Sequence, residues 1–98
     1  MSHPRLRLDG LLNHPLRLSI MAAVANTDRI EFMALAEDLD VTAPTLSKAN
    51  AVLEGAGYLR IHKGYIGKRP RTWLSLTHDG RQSYEVHLQA LREIANAL

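Results

Sequence analysis

The sequence predicts a mainly α-helical fold with a small β-hairpin and an extended C-terminal helix. Three observations predict it. They are apolar residues at helical spacing in the first half, a strand-like alternation of apolar and polar residues around a glycine-containing turn, and a heptad-like apolar seam near the end. The chain has 98 residues, 46% of them hydrophobic, and carries no repeat or linker. We therefore expect one domain, residues 1–98, with a thin core.

The first helix is predicted at residues 16–24, where apolar residues are dense and Pro15 occupies a first-turn position. The segment before it is expected to form a short helix or arm with an apolar side. Four leucines provide that side: Leu6, Leu8, Leu11 and Leu12.

Two more helices follow with only a few residues between them, which is the helix-turn-helix layout. The i, i+3, i+4, i+7 spacing that begins at Phe32 predicts the second helix. Thr42 is a good N-cap for the third, residues 42–55, which we expect to end at Gly55 or Gly57. Asn50 falls on the core side of this helix. Because an unpaired buried amide costs about 1–3 kcal/mol, Asn50 should bond to a nearby carbonyl, or the helix should be slightly rotated.

The alternating pattern of residues 58–62 and the strand-like run 73–76 predict a hairpin around Gly64, Gly67 and Pro70. Residues 30–32 are compatible with one further short strand. Trp73 is expected in the core, where most tryptophans of small domains lie. The tip of the hairpin should present Lys68, Arg69 and Arg71, with Pro70 stiffening the loop between them.

Thr77 is predicted to cap a last helix, residues 77–98, whose apolar residues alternate four and three apart as in a coiled coil. The order helix, helix, helix, hairpin, helix is that of a winged helix-turn-helix, with residues 11–76 forming the helix-turn-helix and the wing. The seam residues of the last helix are Tyr84, Leu88, Leu91, Ala95 and Leu98.

Charge is unevenly distributed along the chain. The net charge is +2, but the segment from Gly55 to His78 contains five Lys and Arg residues and no acid, so the remaining residues carry a net charge of −3. A basic segment on a slightly acidic domain is typical of a polyanion site, although a solvated hairpin would look the same.

The predicted third helix and wing meet the demands of double-stranded DNA. A helix that opens with small polar residues and one lysine suits the major groove, and cations on a wing suit the phosphate backbone or minor groove. The alternative is that Thr42 only caps its helix and the cations are ordinary surface residues. The candidate DNA contacts are Thr42, Pro44, Thr45, Ser47 and Lys48 on the helix, and Lys63, Lys68, Arg69, Arg71 and Thr72 on wing residues 63–72.

Several segments resemble small bacterial winged-helix regulators related to the MarR and ArsR groups. This resemblance implies sequence-specific DNA binding as a homodimer, usually as a repressor. Asn50 departs from the family, which usually has an apolar residue there. The segments are residues 11–18 (LLNHPLRL), 32–36 (FMALA), 45–48 (TLSK), 53–59 (LEGAGYL), 63–72 (KGYIGKRPRT) and 76–81 (LTHDGR).

A homodimer would bury the seam of the last helix and place two third helices about one DNA turn apart on a palindromic site. The alternative is that this helix folds back onto its own domain. The predicted dimerisation residues are Leu8, Leu11, Leu12, Tyr84, Leu88, Leu91, Ala95 and Leu98.

Other functions find little support in the sequence. The chain has no cysteine and its five histidines are scattered, so we expect no metal and no cofactor. No phosphate loop, nucleophile elbow or carboxylate pair suggests an enzyme. No segment resembles a signal peptide or membrane span, and we expect a cytoplasmic protein. The competing hypotheses are a protein-interaction module without DNA binding and a ligand-sensing regulator, although the sequence identifies no effector.

Overall fold

The computed structural model describes residues 2–97, and its elements follow the predicted order. Residues 2–97 form four α-helices and a three-stranded antiparallel sheet in the order β1-β3-β2. The strand β1 adds a third member to the predicted hairpin. The elements are a 3₁₀ turn at Pro4–Arg7, α1 at Pro15–Ala25, β1 at Ile30–Glu31, α2 at Phe32–Asp38, α3 at Ala43–Gly55, β2 at Leu59–Ile66, β3 at Arg69–Leu76 and α4 at His78–Asn96.

Local side-chain caps fix where the helices begin. The amide N–H of Thr45 donates to Thr42 Oγ1 at the start of α3, and that of Gly80 donates to Thr77 Oγ1 at the start of α4. Such bonds satisfy amides that have no partner in the first helical turn. Asp40, with φ 55°, turns the chain sharply between α2 and α3. The two helices are therefore joined as closely as the helix-turn-helix layout requires.

One hydrophobic core joins the helices to the sheet. The core residues are Leu12, Ile20, Met21, Val24, Leu35, Ala36, Leu46, Leu53, Leu59 and Leu74. Among them, Leu12 is fully buried, at 0% exposure. This corrects the prediction that Leu12 contributes to a dimer surface, because its side chain is already surrounded by its own chain.

None of the helices within residues 2–97 has the length and apolar content needed to cross a membrane.

The wing is the hairpin of β2 and β3, closed by the two-residue turn Gly67-Lys68. Gly67 has φ 60° and Lys68 does not have a positive φ, a combination typical of a type II′ turn. Pro70 lies inside β3, opposite Tyr65, and not in the loop as predicted. The turn is short because the strands pair as far as Ile66 and Arg69.

Trp73 lies on the outer face of the sheet, so its predicted core position is wrong. The neighbouring Leu74 faces the core at 0% exposure, and alternation along a strand places the next side chain on the opposite face. The guanidinium carbon of Arg29 lies 4.3 Å from the centroid of the Trp73 ring. This cation–π contact covers part of an aromatic surface that would otherwise face water.

The start of α4 is docked on the loop between α3 and β2. The amide of Thr77 donates to the carbonyl of Tyr58 at 3.1 Å, and Thr77 Oγ1 donates to the carbonyl of Gly57 at 2.5 Å. Gly80 is buried directly above Tyr58. The absence of a side chain at Gly80 is what permits this close approach.

The N-terminal arm packs against α4 of the same chain through a polar cluster. The amide of Asp9 donates to Nδ1 of the fully buried His87 at 2.9 Å. The hydroxyl of Tyr58 donates to Asp9 Oδ2 at 2.5 Å, and this hydrogen bond raises the pKa of Tyr58 above its usual value. Since Nδ1 of His87 accepts, the proton of the neutral ring is on Nε2.

This contact predicts a loss of stability in mild acid. Burial lowers the pKa of His87 below its usual value of 6.5, and the nearby Asp9 carboxylate opposes that shift only in part. The unfolded chain therefore binds a proton at His87 more readily than the folded chain does. The free energy of unfolding should be highest above pH 6.5 and should decrease as the pH falls from 6.5 towards the lowered pKa of His87. Thermal melts of the wild type and His87→Gln across this range test it. The wild type should lose more stability than the variant, and parallel curves would contradict the prediction.

Candidate nucleic-acid interface

Helix α3 has two different faces. Leu46, Asn50 and Leu53 point into the domain and are buried. The opposite face, which carries the predicted contacts, is open to solvent and contains three hydroxyls near a lysine. These exposed residues are Thr42, Pro44, Thr45, Ser47 and Lys48.

Thr42 and Thr45, at the start of α3, differ in the hydrogen bonds that their hydroxyls can still form. Thr42 Oγ1 accepts from the amide of Thr45 and donates to Thr45 Oγ1 at 2.9 Å, so the Thr42 hydroxyl is used as a cap. The hydroxyl proton of Thr45 has no acceptor within residues 2–97. Thr45 can therefore donate to a phosphate or a base edge while its helix stays capped.

The tip of the wing presents two cations. Lys68 and Arg69 are exposed at the turn. Arg71 lies further down β3, where its Nε is 3.7 Å from Glu31 Oε1 and its Nη1 donates to the carbonyl of Pro70. The other oxygen of Glu31 accepts from the amide of Ala34 at the start of α2. Arg71 is therefore directed towards β1, and the tip consists of Lys68 and Arg69.

A groove runs between α3 and the inner face of the wing, and it brings together three of the predicted contacts. Lys63 and Thr72 are cross-strand partners, and Ser47 faces them from α3. The groove has a volume of about 760 Å³. Its other lining residues were not predicted as site residues, although the helical spacing from Ser47 would have indicated those on α3. They are Phe32, Asn50, Ala51, Glu54 and Ile61.

Asn50 is unusual within this groove. Asn50 is 1% exposed, which confirms its predicted position on the core side of α3. Neither Oδ1 nor Nδ2 has a hydrogen-bond partner within residues 2–97, so the expected backbone partner is not found. The same residues contain no group of three or more His, Asp or Glu side chains that could hold a metal ion.

The predicted dimerisation residues are distributed between the inside and the outside of the chain. Tyr84 packs against the core of its own domain, whereas Leu88 and Leu91 are half-buried and Ala95 is exposed. Leu8 and Leu11 are also half-buried, and Leu98 lies outside the described residues. Leu6 and Val86 are large exposed apolar residues of the arm and α4, and sequence analysis did not assign them to the interface. An apolar surface therefore remains along the arm and α4.

A helix-turn-helix beside a β-hairpin wing defines the class of winged-helix proteins. Residues 16–95 match the winged helix DNA-binding domain family, and the chain belongs to that family. A comparison with curated protein sequences gives no significant match.

Solved structures give the same result. A transcriptional regulator homologue from Pyrococcus horikoshii OT3 is 26% identical, with a TM-score of 0.89 over 99% of this chain and 97% of that one. NadR in complex with 4-hydroxyphenylacetate is also 26% identical, with a TM-score of 0.75 over 96% of this chain and 66% of NadR. The M. tuberculosis regulator MOSR in complex with DNA is 19% identical, with a TM-score of 0.71 over 95% of this chain and 63% of MOSR.

These findings confirm the predicted winged-helix DNA-binding family, and the fold is shared with MarR from Staphylococcus aureus. The family is one of winged helix DNA-binding domains, and the Pyrococcus protein that shares the fold is a transcriptional regulator homologue. This chain spans nearly the whole Pyrococcus protein but only about two thirds of NadR and MOSR.

Proposed function

We propose that this chain is a cytoplasmic repressor that binds a palindromic site in double-stranded DNA as a homodimer. The observation that carries the proposal is the exposed polar N-terminal end of α3 beside a wing with two cations at its tip. In this arrangement α3 enters the major groove and the wing contacts the flanking backbone or minor groove.

The side chains at the start of α3 suit base reading. Thr45, Ser47 and Lys48 are exposed and short or flexible enough to reach base edges, and the N-terminus of a helix favours the negative phosphates. Pro44 and Thr42 fix the start of the helix and so determine where these groups lie. Thr72 and Lys63 extend the polar surface from α3 onto the wing. Arg71 joins the contact only when it leaves Glu31.

Dimerisation is supported by the apolar surface that one chain leaves uncovered. Leu88, Leu91 and Ala95 of α4 lie partly or fully exposed near the arm, and a second copy would cover them. Two-fold symmetry would then place two copies of α3 on the same side of a duplex. Repression needs no further surface, because a bound dimer physically excludes other proteins from its site.

Selection from a pool of randomised duplexes tests this proposal. We expect the selected sites to have two-fold symmetry, with half-sites about 10 base pairs apart centre to centre, and the protein to have the solution mass of a dimer. Enrichment of no sequence, or of an asymmetric site by a monomer, would contradict it.

Removing single contacts from α3 should change which sequences bind. We expect Ser47→Ala and Lys48→Ala each to relax the preference at one or two positions of the half-site, at about 1–3 kcal/mol for a lost base contact. Repeating the selection with each variant measures this. Gln82→Ala, an exposed polar position on α4, is the control and should select the wild-type site. An unchanged preference in both α3 variants would remove this helix end from base reading.

A further inference from the structure

The groove between α3 and the wing has one wall made by a single face of a helix. Ser47, Asn50, Ala51 and Glu54 follow i, i+3, i+4, i+7 spacing along α3. The other wall comes from the sheet, where Ile61 and Lys63 alternate on one face of β2 and Thr72 pairs with Lys63. A volume of about 760 Å³ is in the range of small-molecule sites.

The middle of the helix wall is Asn50, whose amide has no partner within residues 2–97. Leaving a buried donor or acceptor unpaired costs about 1–3 kcal/mol, and an apolar residue at this position would avoid that cost. A side-chain amide is best matched by another amide, which offers an acceptor and a donor side by side. Both amide atoms are buried beneath the groove, so an amide of a bound molecule reaches them only after the Asn50 side chain rotates towards the groove.

The two ends of the groove differ in charge. The chain reverses between the end of α3 and the start of β2, so Glu54 lies towards the beginning of the strand. Ser47 lies seven residues earlier, about 10 Å along the helix axis, and Lys63 with its partner Thr72 lies four residues into β2, so all three lie away from Glu54. Neither Glu54 nor Lys63 forms a salt bridge within residues 2–97. One end thus offers a carboxylate, and the other offers an ammonium group and two hydroxyls.

We propose that this groove binds a short zwitterionic peptide of about three residues. Three extended residues span about 10 Å, which matches the separation of the two ends. The terminal carboxylate binds Lys63 with the hydroxyls of Ser47 and Thr72, and the terminal ammonium group binds Glu54. A peptide amide pairs with Asn50 after a rotation of its side chain. Phe32 and Ile61 provide apolar contact for the side chains of the peptide.

Peptide binding would also act on DNA binding, a consequence that rests on the proposed function. Ser47, Lys63 and Thr72 belong to both the peptide groove and the proposed DNA surface. The peptide and the duplex therefore compete for the same groups, and saturating peptide should weaken duplex binding by the same factor as duplex weakens peptide binding.

Calorimetry of the full chain with trialanine, in the absence of DNA, tests the site. Blocking either end of the peptide, as N-acetyl-trialanine or trialanine amide, should weaken binding by about tenfold or more, since each removes a charge-assisted contact. Asn50→Leu should abolish binding while its melting temperature stays equal to that of the wild type or rises, because the unpaired amide is gone. Asn13→Leu, an exposed asparagine outside the groove, should bind like the wild type.

Glu54→Gln provides a second variant that leaves the core intact, and it should weaken trialanine binding but not binding of the N-acetylated peptide. No binding of trialanine at millimolar concentration, or equal binding by the blocked peptides and by Asn50→Leu, would overturn the proposal. Because these titrations contain no DNA, their failure leaves the proposed function standing. Loss of duplex binding would likewise leave the peptide result unchanged.

Discussion

Gly80→Ala is expected to lower the free energy of unfolding by about 3 kcal/mol, the upper end of the usual range for overpacking a core. A Cβ at position 80 would lie 2.0 Å from the carbonyl oxygen of Tyr58 and 2.8 Å from its carbonyl carbon. These are backbone atoms, so no side-chain rotation relieves the clash. The same carbonyl accepts the amide of Thr77, and α4 would have to move away from the loop before β2.

Chemical denaturation of the variant measures this loss, and thermal melts should show it as a fall of about 4–8 °C for each kcal/mol. Gly55→Ala is the matched control. Gly55 ends α3 with no atom within 4 Å of an added Cβ and without a positive φ, so its variant should stay within about 0.5 kcal/mol of the wild type. Equal stability of the two variants would show that α4 does not pack on Tyr58 as described. The close approach of the Tyr58 backbone thus explains why a glycine stands three residues after Thr77.

Removing both cations of the wing tip should cause the largest loss of DNA affinity. Lys68→Ala combined with Arg69→Ala takes two exposed positive charges from each protomer and about four phosphate contacts from a dimer. We expect binding to weaken by roughly 100-fold or more on every sequence, and the slope of log affinity against log salt to decrease in magnitude by about 3.6. Duplex titrations at several salt concentrations measure both quantities.

The control for this variant removes the same charge from positions outside the wing. Arg5 and Arg92 are exposed on the arm and α4, and changing both to alanine should leave the salt slope within about one unit of the wild type. The solution mass of this control must be unchanged, because α4 belongs to the proposed interface. If both double variants lose affinity and salt slope equally, the wing has no special role and only net charge matters.

The sequence predicted best what depends on neighbouring residues. Thr42 and Thr77 cap their helices as expected, because a cap and the amide it satisfies are three residues apart. The helical period likewise placed Asn50 on the core side of α3. Such patterns fixed the order of the elements and the exposed face of the third helix.

What could not be predicted depends on residues far apart in the chain. Arg71 is held by Glu31, and His87 receives its hydrogen bond from Asp9, 78 positions away. The sequence could not show that Trp73 lies on the outer face of the sheet, because a strand with apolar residues in succession does not indicate which face is buried. The pairing of β1 with β3 and the docking of the arm on α4 decided these positions, and both require the folded chain.

A salt titration of binding to a random duplex of about 30 base pairs, with solution mass measured in parallel, tests the central claim most directly. Each protomer presents Lys48, Lys63, Lys68 and Arg69 towards the proposed DNA surface. Eight such cations per dimer predict a slope of log affinity against log salt of about −7, together with the mass of a dimer. A protein that fails to bind duplex even at low salt would contradict the account, and its α4 surface would then be studied as a site for partner proteins.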